Sequence, residues 1–232
     1  PNDRVFSSRF HYHIKRDAIT GRITRFKVRL VIQGHKMKAS TEDKVGDYEC
    51  SFAPVPHATV GRMIMAIAVA EDEECDAVDL TQAFIQADRL DEGVNGRWFM
   101  TPPPGSEEDD PDVVYEVLRP LYGIPSSARA LNVTLDTWLK SEGFKTVGFE
   151  DSVWVRPAGG KYSARITMSS HIDDNLISCK SRKVLNQFKK EFLTRFDGTD
   201  EGPVTQYLGC EFISDRTRRT GELRQSAYAQ KV

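Results

Sequence analysis

Residues 165–179 read Arg-Ile-Thr-Met-Ser-Ser-His-Ile-Asp-Asp-Asn-Leu-Ile-Ser-Cys, so two adjacent carboxylates, Asp173 and Asp174, stand between two short β-prone runs. Successive strand side chains point to opposite faces, so both acids can serve one place only if the chain bends there. The polar Asp-Asp-Asn step reads as the bend of a hairpin. Like charges held this close are unfavourable unless a cation lies among them, which calls for a third acid from another strand. Asp79 fits, at the end of the short apolar run Cys75 to Leu80 that leads into Thr81-Gln82-Ala83-Phe84. Three carboxylates gathered in this way can hold two magnesium ions roughly 3.5–4 Å apart, the arrangement of phosphoryl and nucleotidyl transfer.

The elements around the acids set the fold class. Phe10–Arg16 and Thr24–Gln33 read as strands of an antiparallel hairpin turning at Asp17–Arg22. Arg25, Lys27 and Arg29 alternate with Phe26, Val28 and Leu30, giving one basic and one apolar face. A helix is expected from an N-cap at Thr59, with Met63, Ile64, Ile67 and Ala68 at helical spacing. The acidic run Glu71–Glu74 reads as exposed linker. Strands are expected at Trp98–Met100 and Val113–Val117, and a helix from Pro125-Ser126-Ser127 carrying Leu131, Leu135, Trp138 and Leu139 and ended by Gly143. Further strands fall at Val153–Val155, Arg165–Met168 and Leu176–Cys179. A helix opened by Ser181 turns Val184, Phe188, Phe192 and Phe196 inward, and strands near Gln206–Ser214 and Glu222–Gln225 follow. The order is that of a split βαβ arrangement, an α+β fold with an antiparallel sheet and helices on one face.

Composition excludes several classes. With 232 residues the chain can bury a substantial core, and no run approaches the eighteen or so apolar residues of a membrane helix. The four cysteines, Cys50, Cys75, Cys179 and Cys210, lie far apart without zinc-ribbon or redox spacing and read as reduced thiols of an intracellular protein. Net charge is −2, yet residues 1–44 carry eleven Lys or Arg against four acids, so a basic face for phosphates is expected at the N-terminal hairpin. His11 and His13 share a strand face but have no visible third metal ligand and read as surface residues. A start at Pro1 and an end at Lys231-Val232 suggest a piece of a longer polypeptide.

With these residues in view, the chain resembles the reverse transcriptase of copia-type LTR retrotransposons, from about Phe10 to Lys231. The likeness rests on Phe26-Lys27-Val28-Arg29-Leu30-Val31-Ile32-Gln33-Gly34, Phe52-Ala53-Pro54-Val55, Val78-Asp79-Leu80-Thr81-Gln82-Ala83-Phe84, Pro103-Pro104-Gly105, Leu121-Tyr122-Gly123, His171-Ile172-Asp173-Asp174, Tyr207-Leu208-Gly209 and Gln225-Ser226 with Tyr228. Eight motifs in family order form a specific signal. Two departures stand out: His171 replaces the family's usual Tyr, and Ile124 to Leu131 replaces the Lys, Gln, Pro and Trp with which the family commonly continues while keeping Arg129.

The resemblance implies a right-hand polymerase with fingers and palm, the palm a ferredoxin-like split βαβ sheet. Residues 1–56 are expected to form the fingers hairpin and loop, and 57–232 the palm with the remaining fingers elements. Asp79, Asp173 and Asp174 are implied as the catalytic carboxylates holding two Mg2+ ions, with Mn2+ as a substitute. Phe84 is implied as the aromatic that excludes a ribose 2′-hydroxyl, Leu80 and Tyr122 as further nucleotide contacts, and Lys27 or Arg29 as the residue meeting the triphosphate. His171 and Ile172 are implied at the primer terminus. The implied activity is RNA-directed DNA synthesis from dNTPs on an RNA or DNA template with a primer. Integrase, RNase H, protease and capsid would be neighbours in the polyprotein, within a cytoplasmic particle or the nucleus, neither secreted nor in a membrane. The competing readings are a decayed or domesticated domain that binds nucleic acid or a protein without catalysis, and an unrelated two-metal nuclease or cyclase on a similar sheet.

Overall fold

The computed structural model describes residues 3–16, 20–41, 44, 46–88, 97–108, 110, 112–148 and 150–229. Residues 17–19 of the expected hairpin turn and the terminal Lys231-Val232 lie outside the described residues. In chain order the elements are β1 (Arg4–Phe6), β2 (Ser8–Arg16), β3 (Ile23–Ile32), α1 (Ala58–Glu71), β4 (Glu74–Leu80), β5 (Trp98–Met100), β6 (Tyr115–Glu116), α2 (Ser127–Ser141), β7 (Lys145–Val147), β8 (Glu150–Arg156), β9 (Ile166–His171), β10 (Asp174–Cys179), α3 (Arg182–Arg195), β11 (Gly198–Pro203), β12 (Gln206–Tyr207), β13 (Cys210–Asp215), β14 (Thr220–Arg224) and α4 (Ser226–Ala229). No helix among the described residues is long and apolar enough to cross a membrane. This mixture of sheets and helices accords with a polymerase-like domain.

The chain divides into two compact units, residues 1–53 with 84–134 and residues 54–83 with 135–232. In the first, β2 and β3 pair antiparallel with Arg29 opposite His11, Lys27 opposite His13 and Arg25 opposite Lys15. Directly opposed residues share a face, so Arg25, Lys27 and Arg29 make one basic side together with Lys15, His11 and His13. Tyr12, Ile14, Phe26 and Val28 form the other side and are exposed. The core of this unit is Phe6, Ile32, Met37, Met100, Val117 and Ile124. Two glycines let the end of β3 meet the turn after Leu121: a Cβ on Gly34 would lie 1.8 Å from the Gly123 carbonyl oxygen, and one on Gly123 (φ +93°) would lie 2.0 Å from the Ile32 oxygen. That crossing is closed by a hydrogen bond from the Ile32 amide to the Tyr122 oxygen at 2.9 Å.

The second unit holds the six-stranded sheet, in the order β11-β4-β10-β9-β8-β7 with antiparallel neighbours. Ala77, Leu176 and Val153 share one face and pack with Ile64 and Met65 of α1 and with Tyr207 and Phe212 of the β12-β13-β14 sheet. The alternate residues face α2 and α3. Trp154 donates its indole N–H to Asp136 at 2.9 Å, and buried Asp76 receives Arg182 at 2.6 Å and Lys189. Trp138, Phe144, Tyr162, Phe188, Phe192 and Phe196 form an aromatic cluster on that side. The two helices expected over the sheet, α2 and α3, share this face, and the expectation that one face alone carries helices is corrected by α1 on the other. Both faces of β4 and β10 carry apolar side chains, so α1 covers one side and α2 with α3 the other.

Local chemistry alters two further expectations. α1 is capped by His57, whose Nδ1 accepts from the Thr59 amide at 3.4 Å, rather than by Thr59. Glu71–Glu74 is no exposed linker: Asp72 ends α1 in the left-handed region, φ +57°, and Glu73 is buried against Ser178 and Arg165. Glu74 opens β4, bound by Arg182 and Arg216. The cysteines are free, with Cys50 exposed and Cys179 and Cys210 buried.

Candidate active site

Register brings the acids together. β4 and β10 pair so that Asp79 and Asp174 are direct cross-strand partners, at the end of one strand and the start of the other. Such partners share a face with Cβ atoms about 4.5–5.5 Å apart. The Leu80 amide donates to the Asp173 carbonyl at 2.9 Å, so Asp173 is held beside the same strand end. Buried Asn175 fixes the bend, donating its side-chain amide to Val78 O at 3.2 Å and Asp173 O at 3.0 Å. The bend itself lies one residue earlier than expected. His171 pairs with Asp174, which leaves Ile172 and Asp173 as a two-residue turn with Ile172 at φ +61°. Positive φ is strained for a β-branched residue, and strain of that kind persists only where the surroundings impose it.

The electrostatics follow from this crowding. Burial, with the charges of Asp173 and Asp79, raises the Asp174 pKa above the usual aspartate range, and His171 opposes the shift. β11 completes the wall with Thr199 opposite Asp79. Gly198 is required there, because a Cβ would lie 2.6 Å from the Asp79 carbonyl oxygen. Beside Asp174 is a cavity of ≈ 270 Å³ whose lining includes Asn175, Glu201, Gln206, Tyr207, Leu208 and Gly209. Leu208 (φ +47°) and Gly209 (φ +78°) form the tight turn between β12 and β13. Of this lining the sequence marks Asn175 as part of the bend, Gln206 as a strand start and Tyr207-Leu208-Gly209 as a motif without a place, and gives no sign of Glu201.

Among the described residues no three His, Cys, Asp or Glu side chains form a ready-made metal cage. Backbone register pairs Asp79 with Asp174, with Asp173 in the adjoining turn, and among the described residues the three carboxylates form no preformed ligand shell. The donor set still suits a hard cation, since Mg2+ is commonly held by one or two carboxylates with waters and substrate phosphates rather than by an all-protein cage. Asp79 and Asp174 could supply such a pair.

The other expected residues fall as follows. Leu80 is buried and its amide is taken by Asp173. His171 and Ile172 are half-buried beside the aspartates. In the first unit, Phe84 sits in a single 3-10 turn, Ala83–Gln86, with its ring 4.9 Å from that of Tyr122 at 62°. The guanidinium of Arg29 lies 5.1 Å from the Tyr122 centroid, and its Nε is buried without a hydrogen-bond partner among the described residues. Lys27 is half-buried on the same face of β3. His11 and His13 are exposed.

Residues 1–232 match the family described as reverse transcriptase (RNA-dependent DNA polymerase). The chain is 27% identical over 232 residues to the retrovirus-related Pol polyprotein from transposon TNT 1-94 of Nicotiana tabacum, covering 99% of this chain and 16% of that protein. It is 29% and 28% identical over 192 residues to the Pol polyproteins from transposons RE2 and RE1 of Arabidopsis thaliana, covering 82% of this chain and 12% of each. The chain thus spans a small part of the length of these relatives.

Proposed function

The chain belongs to the reverse transcriptase (RNA-dependent DNA polymerase) family, and on that premise we propose that it extends a primer 3′-hydroxyl with dNTPs on an RNA or DNA template. The observation that carries this reading is the direct pairing of Asp79 with Asp174, with Asp173 in the adjoining turn. The strand order β11-β4-β10-β9, with α2 and α3 on one face, supports reading the sheet as the split βαβ palm of such a polymerase. The β2-β3 ribbon is read as fingers.

Asp79, Asp173 and Asp174 would hold two divalent ions, Mg2+ or Mn2+. Such ions supply Lewis-acid activation and charge neutralisation for in-line displacement at phosphorus. The chain's own residues orient and select. Arg29 is favoured over Lys27 for the triphosphate, because a buried guanidinium N–H without an acceptor is satisfied by an incoming phosphate oxygen. Phe84 places an aromatic wall against a ribose 2′-hydroxyl. Tyr122 and Leu80 shape the nucleotide contacts, and His171 with Ile172 meets the primer end. On this reading integrase, RNase H, protease and capsid segments are the partners in a polyprotein, and a cytoplasmic particle or the nucleus is the proposed place of the activity.

Primer extension on an RNA template with Mg2+ and dNTPs tests the reading. Extension is expected, and Asp79→Asn or Asp173→Asn should abolish it while the thermal transition persists. Full activity in both variants refutes the assignment. Template binding with no extension by the wild-type chain identifies a non-catalytic descendant instead.

A further inference from the structure

We propose that Tyr122 is a positioning residue that sets sugar selectivity by holding Phe84 and Arg29, an inference that rests on the polymerase reading above. All three side chains lie in the first unit. Phe84 meets the Tyr122 ring edge-to-face at 4.9 Å, and Arg29 stacks its cation over the same ring at 5.1 Å. One ring therefore contacts both the residue assigned to the sugar and the residue assigned to the triphosphate.

The ring is held by backbone that neither neighbour supplies. Tyr122 O accepts from the Ile32 amide at 2.9 Å, and Tyr122 bridges Val31 in parallel. The flanking approach of Gly34 to Gly123 leaves no room for a side chain on either. Phe84 stands in a four-residue 3-10 turn whose printed backbone bond is local, from the Ala87 amide to Phe84 O at 3.1 Å. Steric exclusion of one hydroxyl fails once the excluding ring can swing aside, so the gate needs a brace. Arg29 needs one as well. Among the described residues its Nε has no hydrogen-bond partner, and the stacked ring is a contact that steadies the guanidinium for an anion.

Removing the ring should loosen both subsites while the aspartates continue to work. Single-nucleotide insertion by the full chain, comparing kcat/KM for dTTP and UTP, reads this directly. Because the ratio is taken on one enzyme population, a partly inactive preparation cancels. Tyr122→Leu is expected to lower the dTTP/UTP ratio by roughly three- to tenfold, the size of a lost aromatic pair, and to raise KM for dTTP. Tyr122→Phe keeps the ring and should restore the wild-type ratio. Tyr122→Met, unbranched and able to fill the space, is the second variant. A wild-type ratio in either the Leu or the Met variant overturns the inference, as does complete loss of extension in both. Failure of the wild-type chain to extend any primer under Mg2+ removes the polymerase reading and takes this inference with it. Loss of selectivity in Phe84→Ala without loss in Tyr122→Leu overturns the inference alone.

Discussion

Replacing Gly34 by alanine adds one methyl group where the backbone of β3 crosses the Leu121–Ile124 turn. In a permissive site such a change stabilises a protein by about 0.4–1 kcal/mol, through a less flexible unfolded chain. Here the sign should reverse. The new Cβ would stand 1.8 Å from Gly123 O, 2.9 Å from Gly123 C and 3.0 Å from Pro125 Cδ. The first two are backbone atoms that cannot rotate away, so the strand and turn must separate. Overpacking of this kind costs about 1–3 kcal/mol, and separation also forfeits the Ile32–Tyr122 hydrogen bond, worth about 1 kcal/mol. The sum is a loss of about 2–4 kcal/mol, which for a chain of this size lowers the melting temperature by about 5–15 °C. Urea denaturation of wild type and Gly34→Ala, monitored by far-UV circular dichroism and compared by midpoint at equal m, measures it. A variant as stable as wild type, or more stable, would show that the two backbones do not approach as described.

Lys189 is buried between Asp76 and Asp200, so Lys189→Met removes one of the two cations on buried Asp76, Arg182 remaining, and should cost about 1.5–3 kcal/mol, read from urea midpoints. The raised Asp174 pKa means that the folded chain binds this proton more tightly than the unfolded chain, so its contribution to stability is lost as pH rises through the folded value. With like charges roughly 6 Å apart across the strands, and with screening at a partly exposed site, the repulsion is about 1 kcal/mol. In chelator, Asp174→Asn should therefore melt higher than wild type at pH 7.5 and equally at pH 3; a gain of the same size at both pH values would point to another cause. Arg29→Ala should raise KM for dNTPs about tenfold or more, consistent with a charge-assisted hydrogen bond of about 1.5–3 kcal/mol, while Lys27→Ala changes it less, as steady-state kinetics would show.

The partly legible site has a physical explanation. Asp79 and the Asp173-Asp174 pair could be read because short apolar runs with a two-residue period announce strands, and like charges in a bend announce a cation. Where the bend falls could not be read. A β-branched residue at φ +61° is disfavoured locally, and only the pairing of His171 with Asp174 imposes it. β11 went unrecognised because Gly-Thr-Asp-Glu-Gly-Pro is a polar edge strand with none of the β-branched signature of an interior one. In the sequence Glu73 reads as linker because its partners, Ser178 and Arg165, lie about a hundred residues away. Gly34 and Gly123 were visible only as motif letters, since their close approach exists only once β3 and the Tyr122 turn are in register. The two-sided cover of the sheet is illegible in the sequence for a related reason. The apolar stripe of α1 shows that it packs, but not against which face of β4.

The most direct test of the shared carboxylate site is manganese located by anomalous scattering in crystals of the chain with primer–template and a non-reactive dNTP analogue. The account predicts a peak bonded to carboxylate oxygens of both Asp79 and Asp174 at roughly 2.0–2.2 Å. Manganese bound only elsewhere, with the Asp79 carboxylate turned from that of Asp174, would contradict it.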